Sequence, residues 1–323
     1  MSRGRTVLTL LSALLGAILL PSACMKKPIA DPGPLEWDPV PLPIPAGYDN
    51  VTVKTIRGTG AKDIWVLTSA HRSGDGGMRY GLAFHYDGVA WTPSDLPGRP
   101  TRSLIAIAPD DVWAVGAYGT VAHWDGHSWT TSKIDGIDYD LLEVVGWHDD
   151  LWIAVADSNL VHFDGSRWYS ITPPALGGAS VSSLFALTTG ELLVPRNLEG
   201  QTPSLGRLAK GAWRVEPVGP GGIVHLAGSG PRDLWAVGAF NHSYHFDGFA
   251  WTRFPTSDSR VLGVFATSST EAYLVGESGL VLAWNGSSWT RSSAGTSTRM
   301  WAVYAPPGAK PLIGGEAGLF RHR

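Results

Sequence analysis

Six tryptophans close six copies of one motif in this chain. Trp91, Trp129, Trp168, Trp213, Trp251 and Trp289 follow one another at intervals of 38, 39, 45, 38 and 38 residues. In three of the copies a second tryptophan, Trp113, Trp152 or Trp235, stands 16 positions earlier, and Tyr273 takes that place before Trp289. An acidic residue precedes this first aromatic by two positions, at Asp63, Asp111, Asp150, Asp233 and Glu271. A supersecondary unit that recurs cannot bury its own faces and must stack on its neighbours. The repeat therefore decides the architecture before any other feature is considered.

Each copy divides into four short strands. Asp87-Gly88, Asp125-Gly126, Asp164-Gly165, Asp247-Gly248 and Asn285-Gly286 lie between two apolar runs. Asp-Gly and Asn-Gly in that setting signal a hairpin, and the expected turn is type I′, with positive φ at both central residues. In the second copy the strands fall at about 103–108, 112–117, 120–124 and 127–134. Runs such as VWAVGA and LWAVGA are apolar on both faces, so both faces should be covered. Four antiparallel strands repeated radially describe a β-propeller. Counting copies predicts seven blades. The last copy, from about Arg299, has three strands and then the chain ends, while LEWDPVPLP at 35–43 resembles the outer strands. An N-terminal strand bearing Trp37 is therefore expected to complete blade 7 and remove an open sheet edge.

The motif D-[IVL]-W-x-V-G…G-x-x-x-[HA]-[WYF]-[DN]-G-x-x-W resembles the WD40/YVTN/BNR-like propellers over about residues 35–323. The resemblance implies the fold and is silent on activity. It is not the sialidase Asp-box, in which one residue separates Asp from Gly; here the two are adjacent. The longer quinoprotein motif is also absent, and no cofactor is implied.

Residues 1–23 read as an export signal. Arg3 and Arg5 start it, an apolar run from Val7 to Leu20 follows, and Pro21-Ser22-Ala23 leads to the chain's single cysteine, Cys24. The run is too short to favour a spanning helix. The arrangement resembles a bacterial lipoprotein signal, which implies lipidation of Cys24. Met25 after the cysteine implies the outer membrane, and 24–34 is a polar, Pro-rich tether. The expected domains are thus signal 1–23, tether 24–34 and propeller 35–323, anchored in the cell envelope. Net charge is −3 with no basic stripe, so nucleic acid is not an expected partner. A monomer is expected.

Residues that recur in every blade belong to the packing. The tryptophans should pack between blades. His85, His123, His162 and His245 should be hydrogen-bonding groups within blades, since four equivalent positions diverge around a ring and cannot converge on a metal. The repeated aspartates should accept turn N–H groups. Function is sought where the repeat breaks. Blade 1 lengthens its second-to-third-strand connection by ten residues around 69–80, and blade 4 lengthens the same connection by four at 195–206. Both fall on one rim, the top. At the first position of the innermost strand, Arg102, Arg260 and Arg299 stand where other blades have Thr52, Asp140, Ser180 and Gly222. Guanidiniums facing one cavity would bind a carboxylate or phosphate bidentately; the alternative is pairing with loop acids such as Asp138, Asp140 or Asp258. The turn at 135–140 carries three aspartates, but calcium needs six to eight oxygens, so a solvated acidic turn is expected and no metal.

These features point to a non-enzymatic, lipid-anchored scaffold that presents its top rim to a protein or glycan of the envelope. A carbohydrate-active protein, either a lectin or a sialidase-like hydrolase, would bind an acidic sugar through Arg102, Arg260 and Arg299. An outer-membrane assembly helper is the third reading.

Overall fold

The computed structural model describes residues 36–323, apart from 77, 98–100, 157–158, 180 and 182. The signal, the tether and Cys24 lie outside these residues. Seven four-stranded antiparallel sheets form the blades of a propeller. In blade 1 the strands run Tyr48–Gly60, Asp63–Arg72, Arg79–Tyr86 and Trp91–Asp95, from the central channel outward. The innermost strands of blades 2 to 7 are Thr101–Ala108, Leu141–Trp147, Phe185–Leu187, His225–Gly230, Val261–Ser268 and Met300–Tyr304.

Blade 7 takes its outer strand, Trp37–Val40, from the N-terminal side of the chain. Trp37 pairs with His322 and Val40 with Leu319. The Trp37 ring is buried, and its Nε1–H donates to Ser292 Oγ of blade 6 at 2.7 Å. The Arg323 amide donates to Glu36 O at 2.8 Å, and its guanidinium reaches Asp38 at the same distance.

The closing tryptophan of one blade packs on the first aromatic of the blade before it. Trp129 meets Trp65 at 5.6 Å, Trp168 meets Trp113 at 5.9 Å, and Trp289 meets Trp235 at 5.0 Å, all near edge-on. Trp37 meets Tyr273 in the same way at 6.2 Å. Edge-to-face pairing gains energy beyond burial alone, and it explains why an aromatic recurs at both ends of the motif.

Within a blade the first tryptophan, a histidine and the acidic residue form one unit. The His85, His123, His162 and His245 rings stack on Trp65, Trp113, Trp152 and Trp235 at 4.0–4.4 Å. The same rings bond to Asp63, Asp111, Asp150 and Asp233 at 2.6–2.9 Å. The aspartates serve as histidine partners, and two also take turn amides as expected: Asp63 from Thr59 at 3.3 Å and Asp233 from Ser229. Blade 4 replaces the unit with Arg207, which is buried between Glu191 at 3.2 Å and Glu216 at 3.1 Å.

Burial alone would raise the Asp63 and Asp233 carboxyls, but the histidine and hydroxyl hydrogen bonds outweigh it and hold both below the usual carboxylate value. A folded-state pKa below the unfolded one stabilises the protein above the unfolded value, near pH 4, and that stability is lost as pH falls. Replacing His245 with alanine leaves Asp233 buried without its main partner. The expected cost is about 3 kcal/mol at neutral pH, shrinking in acid as Asp233 protonates. Urea melts of both proteins at pH 7 and pH 3 check it; an equal deficit at the two pH values would contradict it.

The Asp-Gly turns depart from the type I′ expectation. Each is a four-residue loop in which only the glycine has positive φ, from 87° to 95°. The Asp or Asn side chain mimics a backbone turn: Asp87 Oδ1 accepts from the Val89 and Ala90 amides at 2.8 and 2.9 Å. Asp125, Asp164, Asp247 and Asn285 repeat the arrangement. Asx side chains bond the backbone two residues on, so the motif needs Asp or Asn first and Gly second for different reasons.

Candidate functional site at the channel mouth

The innermost strands start at the top rim, and there the channel opens into a cavity of about 540 Å³. Four cationic side chains line it: Lys54 and Arg79 from blade 1, Arg102 from blade 2 and Arg299 from blade 7. Lys54 Nζ sits 4.2 Å above the Trp301 ring, a cation–π contact that holds the ammonium at the throat. Burial, then the charge of Arg79, and then Arg102 and Arg299 push the Lys54 pKa below the usual lysine value, with Glu316 opposing. Burial and the neighbouring guanidiniums thus both disfavour its charged form.

Resident acids pair with two of the arginines, closely at Arg102 and loosely at Arg299. Arg102 pairs with Asp140 at 2.5 Å, and Asp140 also accepts the Tyr118 amide at 3.3 Å. Arg299 lies 3.7 Å from Glu277 and 3.5 Å from Glu316. Both arginine side chains are 53% exposed, so solvent screens these ion pairs and each contributes little to stability. Arg260 is placed otherwise. It is exposed on the rim beside blade 6 and does not line the cavity; its carbonyl accepts the Glu277 amide at 2.9 Å. Two of the three arginines picked out by sequence therefore share the mouth.

The extra residues of blade 1 form strand more than loop. The second strand runs on to Arg72 and the third begins at Arg79, paired through Ala70 with Tyr80 and His71 with Arg79. The resulting hairpin rises from the rim beyond Arg72 and Arg79. Its base supplies Ser69 and Arg79 to the cavity, and Arg79 donates to Ser69 Oγ at 3.3 Å. Tyr80 Oη donates to Asp75 at 2.5 Å, which braces the tip. The longer connection of blade 4 does not reach the mouth. Asn197 ties it to blade 5 through Ile223 O at 2.6 Å and Ile223 N at 2.9 Å.

Two of the three carboxylates of the acidic turn at 135–140 pair with separate cations: Asp138 with Lys133 at 2.5 Å, and Asp140 with Arg102. Among the described residues no group of three or more His, Cys, Asp or Glu could hold a metal ion. Large apolar side chains stand exposed near the mouth, at Met78 beside Arg79 and at Tyr118 and Tyr139 beside the Arg102–Asp140 pair.

Lys54 and Trp301 were not among the sequence candidates, whereas Arg79 lies in the lengthened segment 69–80 singled out there. Comparing only the first residue of each inner strand passed over Lys54 and Trp301, which lie two positions further in. A lysine in an inner strand, VTVKTIR, was the available signal for Lys54.

No family model matches the chain, and no curated protein matches it. Solved structures do. YCF48 bound to a D1 peptide aligns with a TM-score of 0.67 at 14% identity, covering 91% of this chain and 99% of that one. The WD40 β-propeller domain of Doa1 aligns at 0.65 and 12%, covering 85% and 96%. Streptogramin B lyase aligns at 0.66 and 12%, covering 89% and 97%. This chain is a seven-bladed β-propeller. At such identities the likeness carries the fold and no activity.

Proposed function

We propose that this propeller is a non-enzymatic binding scaffold of the cell envelope that captures an acidic segment of a partner protein at its top mouth. The observation that carries the reading is the convergence of Lys54, Arg79, Arg102 and Arg299 on one cavity. Guanidiniums in weak, exposed ion pairs exchange a resident carboxylate for an incoming one at little cost. The exposed Met78, Tyr118 and Tyr139 give a polypeptide further surface to settle on. YCF48, of similar fold, is seen with a D1 peptide bound, so a propeller of this shape holds peptides. An acidic sugar is the weaker candidate, because the Trp301 face on which a sugar ring would stack is covered by Lys54.

A labelled hexaglutamate peptide tests the reading. It should bind, weaken as salt rises, and resist competition by N-acetylneuraminic acid. Competition by the sugar at equal concentration would favour the acidic-sugar reading, and no binding at low salt would remove the site altogether. The envelope location rests on Cys24 as a lipid anchor, which places the mouth within reach of membrane-bound partners. Metabolic labelling with palmitate should mark the protein and fail with Cys24→Ser; equal labelling of both would refute the anchor.

A further inference from the structure

Below the mouth the channel continues into a smaller chamber of about 170 Å³. Lys54, Arg102 and Trp301 line both spaces, so one ligand can span them. A cavity near 150 Å³ holds a benzene-sized group, so the chamber has room for a short polar head and no more.

The chamber differs from the mouth in what its walls offer. Arg57 gives one N–H to Ile56 O at 2.9 Å and keeps others. Ser103 Oγ accepts the Val144 amide at 3.3 Å, which leaves its own hydroxyl proton to give. Among the described residues Trp301 Nε1–H has no partner. The chamber wall also carries two acceptors. Glu143 Oε2 takes the Leu184 amide at 2.7 Å; burial raises its pKa, the charge of Arg57 and the hydrogen bonds of Leu184 and Ser183 oppose that, and its oxygens keep lone pairs to accept. His225 is neutral at physiological pH, because burial lowers its pKa to about 4. A free cation in the chamber would meet Arg57, and a free anion would meet Glu143. A neutral group with a donor face and an acceptor face meets neither penalty.

We propose that this chamber is a second subsite, for a carboxamide, on a ligand whose carboxylate is held by Arg102 and Arg299 at the mouth. The carbonyl takes hydrogen bonds from the Arg57, Ser103 and Trp301 side, and the amide NH₂ gives to Glu143. The inference rests on the anionic reading of the mouth and adds the chemistry of what lies beside the anion. Along the inner strand Arg57 is three residues below Lys54, about 10 Å of backbone, so the two groups must be joined by a short chain.

Two isosteric probes separate the claims. Glutaramate carries a carboxylate and a primary amide, and 5-oxohexanoate replaces that amide's NH₂ with a methyl group. Calorimetric titration of the intact protein should give about tenfold tighter binding for glutaramate, the size of one charged-group hydrogen bond. The Trp301 indole N–H resonance, assigned with Trp301→Phe, should shift on adding glutaramate. Glu143→Gln fills the same volume but offers only a neutral acceptor, so it should reduce the affinity ratio without abolishing it; if it does not fold, the two wild-type measurements decide. Equal binding of the two probes overturns the chamber and leaves the mouth reading standing. An amide preference with an unmoved indole also overturns it, because the amide then sits elsewhere. No binding of either probe overturns both.

Discussion

Trp37→Ala destabilises this protein by about 3–5 kcal/mol, the cost of emptying a fully buried tryptophan site. The substitution removes more than packing. Trp37 Nε1–H donates to Ser292 Oγ, and the ring packs edge-on against both Tyr273 and His322. Its strand completes blade 7, so loosening it exposes the edge of Gly318–His322. An exposed edge pairs with other chains, and the variant should also aggregate on heating. Urea denaturation checks the stability and light scattering the aggregation. Trp37→Phe keeps the ring contact and loses the hydrogen bond, so it should fall between the variant and the native protein. A loss under about 1 kcal/mol for Trp37→Ala would mean that ring closure contributes little.

Arg102→Ala with Arg299→Ala abolishes most binding of an acidic peptide, weakening it by at least about 100-fold. Each guanidinium that meets a carboxylate supplies about 1.5–3 kcal/mol, and the remaining Lys54 and Arg79 cannot restore bidentate geometry. The double variant should melt like the native protein, because both arginines are half-exposed and their ion pairs are weak. Arg260→Ala should leave binding within about twofold, since Arg260 does not line the cavity. Affinity should also fall as pH rises toward the lysine range, and earlier than an ordinary lysine would predict. The Lys54 pKa lies below its usual value, so its positive charge is lost sooner. Loss of binding with Arg260→Ala and retention with the double variant would move the site to blade 6.

The architecture could be read from the sequence because its determinants are periodic and local. The Trp–Trp spacing, the Asp-Gly turns and the unmatched last copy led to seven blades, and Trp37 could be assigned to blade 7 by its likeness to the other outer strands. The turn geometry was harder. Asp-Gly is compatible with two hairpin loops, and the side-chain bond from Asp87 to two amides, which selects the four-residue loop, is not visible in a dipeptide. Residues 69–80 read as a loop because Gly and Ser dominate the tip, yet the flanking Ala70, His71, Arg79 and Tyr80 pair as strand.

The site was half visible for a different reason. Position in the repeat gave the height of Arg102, Arg260 and Arg299 on the rim, but not the direction of each side chain. Convergence depends on contacts between blades far apart in sequence, such as Lys54 over Trp301. Arg102 also met the alternative weighed for it, a bond to Asp140, while still facing the cavity. No local pattern records that both hold at once.

A crystal structure of the protein with a bound acidic peptide tests the central claim most directly. The account predicts a peptide carboxylate within hydrogen-bonding distance of the Arg102 and Arg299 guanidiniums, above the Lys54–Trp301 pair. A peptide seated on the outer blades or the opposite face, with the mouth unaltered, would contradict it.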